Sequence, residues 1–148
     1  MTDAATSSFV YATYIRTTPD RLWDALTTAA FTRQYWFGIE IETDWVAGSP
    51  WRMISPDGRL LTSGQVVEAN RPRQIVLSWR HEVRPELTAE GHARCVIELE
   101  PIDDLVKLTI THMMDRVESE LVEAASVSWP KIVSNLKSLL EIDEVVLA

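Results

Sequence analysis

The sequence predicts an α+β fold in which a seven-stranded antiparallel sheet curls around a long C-terminal helix, with two short helices after the first strand. Three observations support this prediction. Between residues 38 and 114, β-rich segments alternate with turn signals at hairpin spacing. Apolar and polar residues alternate within the later strands, so each has one dry face. The segment "SWPKIVSNLKSLLE", residues 128–141, carries a broad apolar stripe at helical spacing.

The N-terminal part of the chain predicts one strand and two short helices. "FVYATYIRT", residues 9–17, is rich in β-branched and aromatic residues, which is typical of a strand. Thr18 can then cap a helix, Pro19 suits its first position, and Asp20 favours the positive helix end. The next stretch, "FTRQYWFG", predicts a second short helix or turn that ends at Gly38.

Six further strands follow along the chain. Their predicted ranges are 39–46, 51–55, 60–69, 73–81, 92–100 and 105–113. The turns between them, such as "SPDG" and "NRP", hold residues that tolerate or preset turn dihedral angles. The longest connection, residues 82–91, is rich in charge, which predicts a loop that faces solvent.

The C-terminal helix is predicted to cover the dry face of the sheet. Its apolar stripe consists of Trp129, Ile132, Val133, Leu136, Leu139 and Leu140, and the opposite side holds Lys131, Asn135, Lys137 and Glu141. Two starting points are open. Asp115 with Glu118 resembles a cap, which would start the helix near Arg116 and bend it at Pro130. Alternatively, Ser128 caps a shorter helix; the earlier start is the preferred interpretation.

Composition and charge limit the classes of partner and compartment. The 148 residues, 46% hydrophobic and 24% charged, fit a single domain that is structured over about residues 8–142. A formal charge of -8 argues against nucleic acid and anionic membranes as partners. The one cysteine, Cys95, allows no intrachain disulfide and favours a reducing compartment. Without a signal-like start or an apolar run of membrane-spanning length, the sequence predicts a cytoplasmic protein.

The order of elements and several motifs resemble a known superfamily. The motifs are "TTPDRLWDALTTAAFTRQYWFG", "GSPWRM", "DGRLLTSGQVVEANRPRQIVLSW" and "SWPKIVSNLKSLLE", which together reach from Thr17 to Glu141. They are similar to the START/Bet v 1-like, or SRPBCC, superfamily, in the branch named for the activator of heat shock protein 90 ATPase. The resemblance implies the helix-grip fold and a ligand cavity between sheet and helix, and it brings no recognised catalytic motif. One departure is Ser128, where such proteins usually have glycine before the tryptophan.

A sheet that curls around a helix leaves a gap where side chains are too short to meet, and such gaps hold ligands. The apolar candidates for its wall are Trp36, Met53, Trp79, Trp129, Val133 and Leu136, with a purely structural role in the core as the alternative for each.

The polar candidates are His81 and His112. They end two strands that run parallel in a meander, so they are expected as neighbours on the dry face, on the order of 10 Å apart across the intervening strand. That separation is too large for a shared metal ion. Contact with a polar group of a ligand and a structural hydrogen bond remain as alternatives for both.

Non-catalytic binding of an apolar small molecule in this cavity is the first functional hypothesis, with residues 82–91 at the entrance. The alternative is a protein-interaction module that activates a chaperone ATPase in the stress response, which predicts an exposed apolar patch. Polyketide-cyclase-like chemistry is the third hypothesis. It ranks last because the carboxylates that it would need are predicted on the solvent-facing side of the sheet or in a turn: Glu98, Glu100, Asp103 and Asp104. No cofactor and no metal site are predicted, and the oligomeric state, a homodimer included, is left open.

Overall fold

In a computed structural model, which describes residues 6–147, an antiparallel sheet packs against one long helix. The strands are β1 Ser7–Ile15, β2 Glu40–Glu42, β3 Pro50–Ile54, β4 Leu60–Asn70, β5 Gln74–His81, β6 Ala93–Ile102 and β7 Leu105–Met114. The helices are α1 Pro19–Thr27, α2 Ala29–Tyr35, α3 Pro85–Thr88 and α4 Glu120–Ile142. The predicted α+β helix-grip fold is confirmed.

The sheet has the strand order β1-β7-β6-β5-β4-β3-β2. Strands β2 to β7 therefore form a meander, and β1 closes the other edge by pairing with β7, from Ser7 opposite Met114 to Ile15 opposite Val106. The period of two predicted from the sequence appears in β7, where alternate side chains from Val106 to His112 are buried. The dry face of this sheet receives α4.

The two short helices form where the sequence predicts them. The Thr18 hydroxyl accepts a hydrogen bond from the amide of Arg21 at 3.2 Å, and Pro19 occupies the first turn of α1. Helix α2 ends at Tyr35, and Gly38 then turns the chain into β2 with a φ of +79°, where a side chain would be strained.

Strand β2 is shorter than the predicted range 39–46. It keeps only three residues, because the chain leaves the sheet after Glu42 and Trp45 takes a positive φ of 55°. The indole Nε1 of Trp45 donates a hydrogen bond to the carbonyl oxygen of Thr27 at 2.9 Å. Tryptophan favours strands, but here Trp45 anchors a loop to the end of α1.

Helix α4 starts well before its apolar stripe, which agrees with the preferred early start. Its cap is Ser119, whose hydroxyl accepts a hydrogen bond from the amide of Val122 at 3.1 Å. The predicted cap, Asp115 with Glu118, is wrong, since Glu118 lies outside the helix with a φ of 54°. The helix continues through Pro130.

The connection between β5 and β6 is exposed to solvent at residues 83–86, as its charge predicts, but it is not a simple loop. It contains α3, and the side chain of Leu87 in that turn is fully buried. The carboxylate of Glu90 accepts hydrogen bonds from the Ser119 hydroxyl at 2.5 Å and the Glu120 amide at 2.8 Å. A carboxylate is favoured at a helix N-terminus, so residues 82–91 are fastened to the start of α4.

Asn135 lies in the interior, although the helical pattern places it on the polar side of α4. It is 1% exposed, and its side-chain oxygen accepts hydrogen bonds from the amides of Val146 and Leu147 at 3.0 and 2.7 Å. Its amide nitrogen donates to the carbonyl oxygens of Tyr35 and Leu147. The residues after α4 therefore fold back onto the helix and cover Asn135, which satisfies its buried polar groups.

Candidate functional site

Five aromatic side chains meet between α4 and the sheet, and we call them the aromatic cluster: Trp36 at the end of α2, Trp51, Trp79 and His112 on three strands, and Trp129 on α4. The ring of Trp79 lies at its centre, with ring centroids 4.9 Å from Trp51, 4.9 Å from His112 and 5.9 Å from Trp129. Trp36 packs on Trp129 with centroids 5.1 Å apart. Tilted and edge-to-face contacts at these distances are favourable, and they tie α4 to the sheet.

His112 is the polar member of the aromatic cluster and is fully buried. Its Nε2 accepts a hydrogen bond from the indole Nε1 of Trp129 at 2.7 Å. Because an indole N–H can only donate, the neutral imidazole must carry its proton on Nδ1, which has no partner among residues 6–147. Burial lowers the pKa of His112 to about 4. At neutral pH it is therefore an uncharged residue that orients Trp129.

A cavity of about 290 Å³ lies beside the aromatic cluster, between the first half of α4 and strands β3 to β5. Its wall is mainly apolar and includes Trp36, Met53, Trp79 and Trp129, together with Ile39, Leu61, Val83, Leu121, Ala124, Ala125 and Ile132. The polar lining residues are Thr62, His81, Arg84 and Ser128. The volume is close to the lower end of the range, roughly 300 to 1,000 Å³, for pockets that bind small molecules.

The structure brings some predicted wall residues to the cavity and leaves others in the core. Trp36, Met53, Trp79, His81 and Trp129 line it. His112, Val133 and Leu136 do not: each is at most 1% exposed and packs in the interior. The second half of α4 lies against β1, where Lys137 donates a hydrogen bond to the Tyr14 carbonyl oxygen and Glu141 accepts one from the Arg16 amide. The cavity itself lies beside the first half of the helix, from Leu121 to Ile132.

The predicted proximity of His81 and His112 is wrong, and the register of the strands explains why. His112 pairs with Cys95, and Cys95 pairs with Leu77, so His112 is level with Leu77 rather than with His81. Four residues along a strand add roughly 13 Å to the separation across two strands. His81 reaches the cavity, whereas His112 is buried behind Trp79.

Several lining residues, among them Ala124, Ala125 and Thr62, were not predicted. Ala125 lies four residues before Trp129, so an apolar stripe extended to the true start of α4 would have included it. Small side chains on the inner face of a helix leave space beneath it, which is the signal for a cavity at this point. Arg84 belongs to residues 82–91, which the sequence predicts at the entrance, where an arginine could bind an acidic ligand, and it does line the cavity.

His81 presents a single, defined hydrogen-bonding group to the cavity. Its Nδ1 accepts hydrogen bonds from the backbone amides of Val83 and Arg84, both at 3.2 Å. The neutral ring therefore carries its proton on Nε2. Partial burial, and then the positive charge of Arg84, lower the pKa of His81 against the opposite effect of Glu82 and Glu86. The imidazole is thus a neutral N–H donor at physiological pH.

The other features of the described chain offer less to a ligand. A groove of about 480 Å³, bordered by Arg73, Glu98 and Lys107, lies open on the outer face of the sheet. Cys95 is fully buried, and burial raises the pKa of its thiol, so it is not a reactive thiolate.

Within residues 6–147, no three His, Cys, Asp or Glu side chains are grouped as metal ligands would be. No helix in that range combines the length and the apolar character needed to cross a membrane.

The sequence profile of the Activator of Hsp90 ATPase homolog 1-like proteins matches residues 16–141. The chain belongs to this family. The match covers every strand and helix apart from β1 and the last residue of α4. The aromatic cluster and the cavity therefore lie within the family domain. A search among curated proteins found no match.

Solved structures share this fold at low sequence identity. The Aha1 dimer from Colwellia psychrerythraea is 17% identical with a TM-score of 0.75, over 93% of this chain and 98% of that one. An HSP90 activator from Plasmodium falciparum is 20% identical with a TM-score of 0.73, over 90% and 95% of the two chains. CalU16 from Micromonospora echinospora is 20% identical with a TM-score of 0.72, over 92% and 77%. At these identities the similarity establishes the fold.

Proposed function

We propose that this protein binds an apolar small molecule, without catalysis, in the cavity between the sheet and α4. The observation that supports the proposal is an unfilled space of about 290 Å³ that is lined by Trp36, Trp79 and Trp129. Protein interiors are otherwise packed as densely as organic crystals and leave few voids larger than a water molecule. A space of this size beside three large side chains is therefore a candidate for a ligand site. Affinity comes mainly from burial of apolar ligand surface.

A non-catalytic role fits the polar groups of the wall. None of the cavity-lining residues in the described chain is an aspartate or a glutamate. General acid/base chemistry on a ligand would therefore rest on His81 without a carboxylate partner on the wall. Binding and sequestration need no such partner, and they are the function that this geometry supports best.

The proposal is tested by filling the cavity from α4. Ala125→Phe places a bulky ring where the wall is formed by a small residue, whereas Val127 is 57% exposed on the same helix and Val127→Phe is the matched control. The probe is 8-bromooctan-1-ol, whose bromine quenches tryptophan fluorescence at short range. We expect saturable quenching in the native protein and in Val127→Phe, and an affinity at least about tenfold lower, or about 1.4 kcal/mol, in Ala125→Phe.

Equal quenching in the two variants would show that the probe binds elsewhere. Unsaturable quenching of the native protein would contradict the proposal as well. Thermal unfolding of both variants accompanies the titration and verifies that each is folded at the temperature of the measurement.

The second candidate is a partner role as an activator of a chaperone ATPase, in the cytoplasm and as part of a stress response. Membership of the family and the similarity to the Plasmodium falciparum HSP90 activator favour it. The outer face of the sheet exposes Val10, Tyr14 and Met113, which are 60%, 47% and 42% exposed. The test is the ATPase rate of purified Hsp90 with this protein added. Stimulation that is abolished by Val10→Asp and is unchanged by Ala125→Phe would support this candidate. Size-exclusion chromatography would show whether the chain dimerises as the Colwellia Aha1 does.

A further inference from the structure

We propose that the ligand of this cavity is a monocarboxylate of about ten non-hydrogen atoms, with its tail against the tryptophans and its carboxylate between His81 and Arg84. The inference rests on the proposed function, because it names the chemical class of the molecule in the same cavity. It follows from the polar groups of the wall, the balance of charge around them and the volume of the cavity.

The first polar group is the Nε2–H of His81. Both amides that face the imidazole, those of Val83 and Arg84, donate to Nδ1 and thereby fix the tautomer. Nε2 then carries a proton and has no hydrogen-bond partner among residues 6–147. A ring held by two backbone amides at a cavity wall is a positioned donor. The group that complements it in a ligand is an oxygen acceptor.

The second polar group is the guanidinium of Arg84. Its nearest carboxylate is that of Glu86, at 3.8 Å, which is longer than a hydrogen bond. Its N–H groups make no hydrogen bond within the described part of the chain, so they can donate to a ligand. A guanidinium and a neutral N–H donor on one wall suit a carboxylate, which accepts two or more charge-assisted hydrogen bonds.

The charge around the site distinguishes an anionic head group from a cationic one. The whole chain has a formal charge of -8, so its long-range field repels anions. Selection of a carboxylate must therefore come from contacts at the wall. Among the lining residues of the described chain, Arg84 is the charged one at neutral pH, and no carboxylate lines the cavity to receive an ammonium group.

The volume of the cavity limits the size of the ligand. A space of about 290 Å³ holds roughly ten non-hydrogen atoms, if each takes about the 30 Å³ that a water molecule occupies in the liquid. Octanoate has that size. Its alkyl chain can lie against Trp36, Trp79 and Trp129, while the carboxylate reaches the side of the cavity formed by His81 and Arg84.

The test compares three unbranched compounds of eight carbon atoms, octanoate, 1-octanol and octylamine, by isothermal titration calorimetry at neutral pH. We expect octanoate to bind at least about tenfold more tightly than 1-octanol, and octylamine to bind more weakly than either, since one charge-assisted hydrogen bond accounts for about that factor. Arg84→Gln should remove most of the preference for octanoate over 1-octanol. The matched control is Arg80→Gln, because Arg80 precedes His81 in β5 without lining the cavity.

The two levels of the hypothesis fail in different ways. If 1-octanol binds as tightly as octanoate, or if Arg84→Gln and Arg80→Gln have the same effect, the assignment of a carboxylate is overturned while the binding of an apolar molecule stands. If none of the three compounds binds, the proposed function is overturned together with the inference.

Discussion

Replacing Gly64 with alanine is expected to destabilise the protein by about 3 kcal/mol, although the change adds a single carbon. Gly64 lies in β4 opposite Trp51 in β3, and the indole of Trp51 crosses it to donate a hydrogen bond to the Ser78 carbonyl oxygen at 2.8 Å. A Cβ on Gly64 would overlap that oxygen and come within 2.7 Å of the indole Nε1. Neither neighbour is the free end of a flexible side chain, so the backbone of β5 or the indole must shift.

The effect of Gly64→Ala is measured by urea denaturation, with Gln65→Ala as control, since the next side chain along β4 is exposed. The control is expected to change the free energy of unfolding by less than about 0.5 kcal/mol. A loss below about 1 kcal/mol in Gly64→Ala would contradict the close packing of Trp51 over the strand. Because Trp51 packs on Trp79, the same variant should also weaken ligand binding at the cavity wall.

The second large effect is a loss of stability at mildly acidic pH that depends on His112. The pKa of His112 is about 4 in the folded protein because of burial, against an ordinary value of 6.5. Above pH 6.5 the imidazole is neutral in both states, and its full contribution to stability is present. As the pH falls from 6.5 to 4, the unfolded chain binds a proton that the folded protein does not, so the free energy of unfolding decreases, by about 3 kcal/mol at pH 4.

Protonation of His112 also removes the acceptor of the Trp129 indole, which makes the charged form doubly unfavourable in the core. His112→Gln replaces the nitrogen acceptor by an amide oxygen acceptor and removes the titration. Subtracting the pH profile of this variant from that of the native protein cancels the contributions of the carboxylates and of His81, whose pKa is also lowered in the fold. Parallel profiles between pH 6.5 and 4 would contradict the assignment of His112 as a buried neutral residue.

The period of hydrophobic residues was sufficient to predict most of the fold. Apolar residues recur at every second position along β7 and at every third or fourth position along α4, and these periods identify both elements and their inner faces. The periods are visible in the sequence because the buried face of each element must be apolar. The cap at Thr18 was predicted from local chemistry for the same reason: its partners lie within one turn. Errors arose where a residue is fixed by contacts distant in sequence, as for Trp45, which anchors a loop, and Asn135, which binds the C-terminal residues.

The site was predicted only in part because it depends on register and on the path of a connection. Periodicity predicts that His81 and His112 lie on the same face of the sheet, but it does not predict which residues of neighbouring strands lie side by side. The register places His112 level with Leu77, four residues from His81, so the two histidines are apart. The position of Arg84 depends on Glu90, which fastens residues 82–91 to the start of α4. No local pattern encodes such a contact between residues about 30 positions apart.

The measurement that tests the central claim most directly is native mass spectrometry of the protein after incubation with a mixture of apolar small molecules, for the native chain and for Ala125→Phe. The account predicts a one-to-one adduct on the native protein that Ala125→Phe lacks and the control Val127→Phe retains. An adduct of equal intensity on all three proteins, or none on the native protein, would show that the space between the sheet and α4 is not a ligand site.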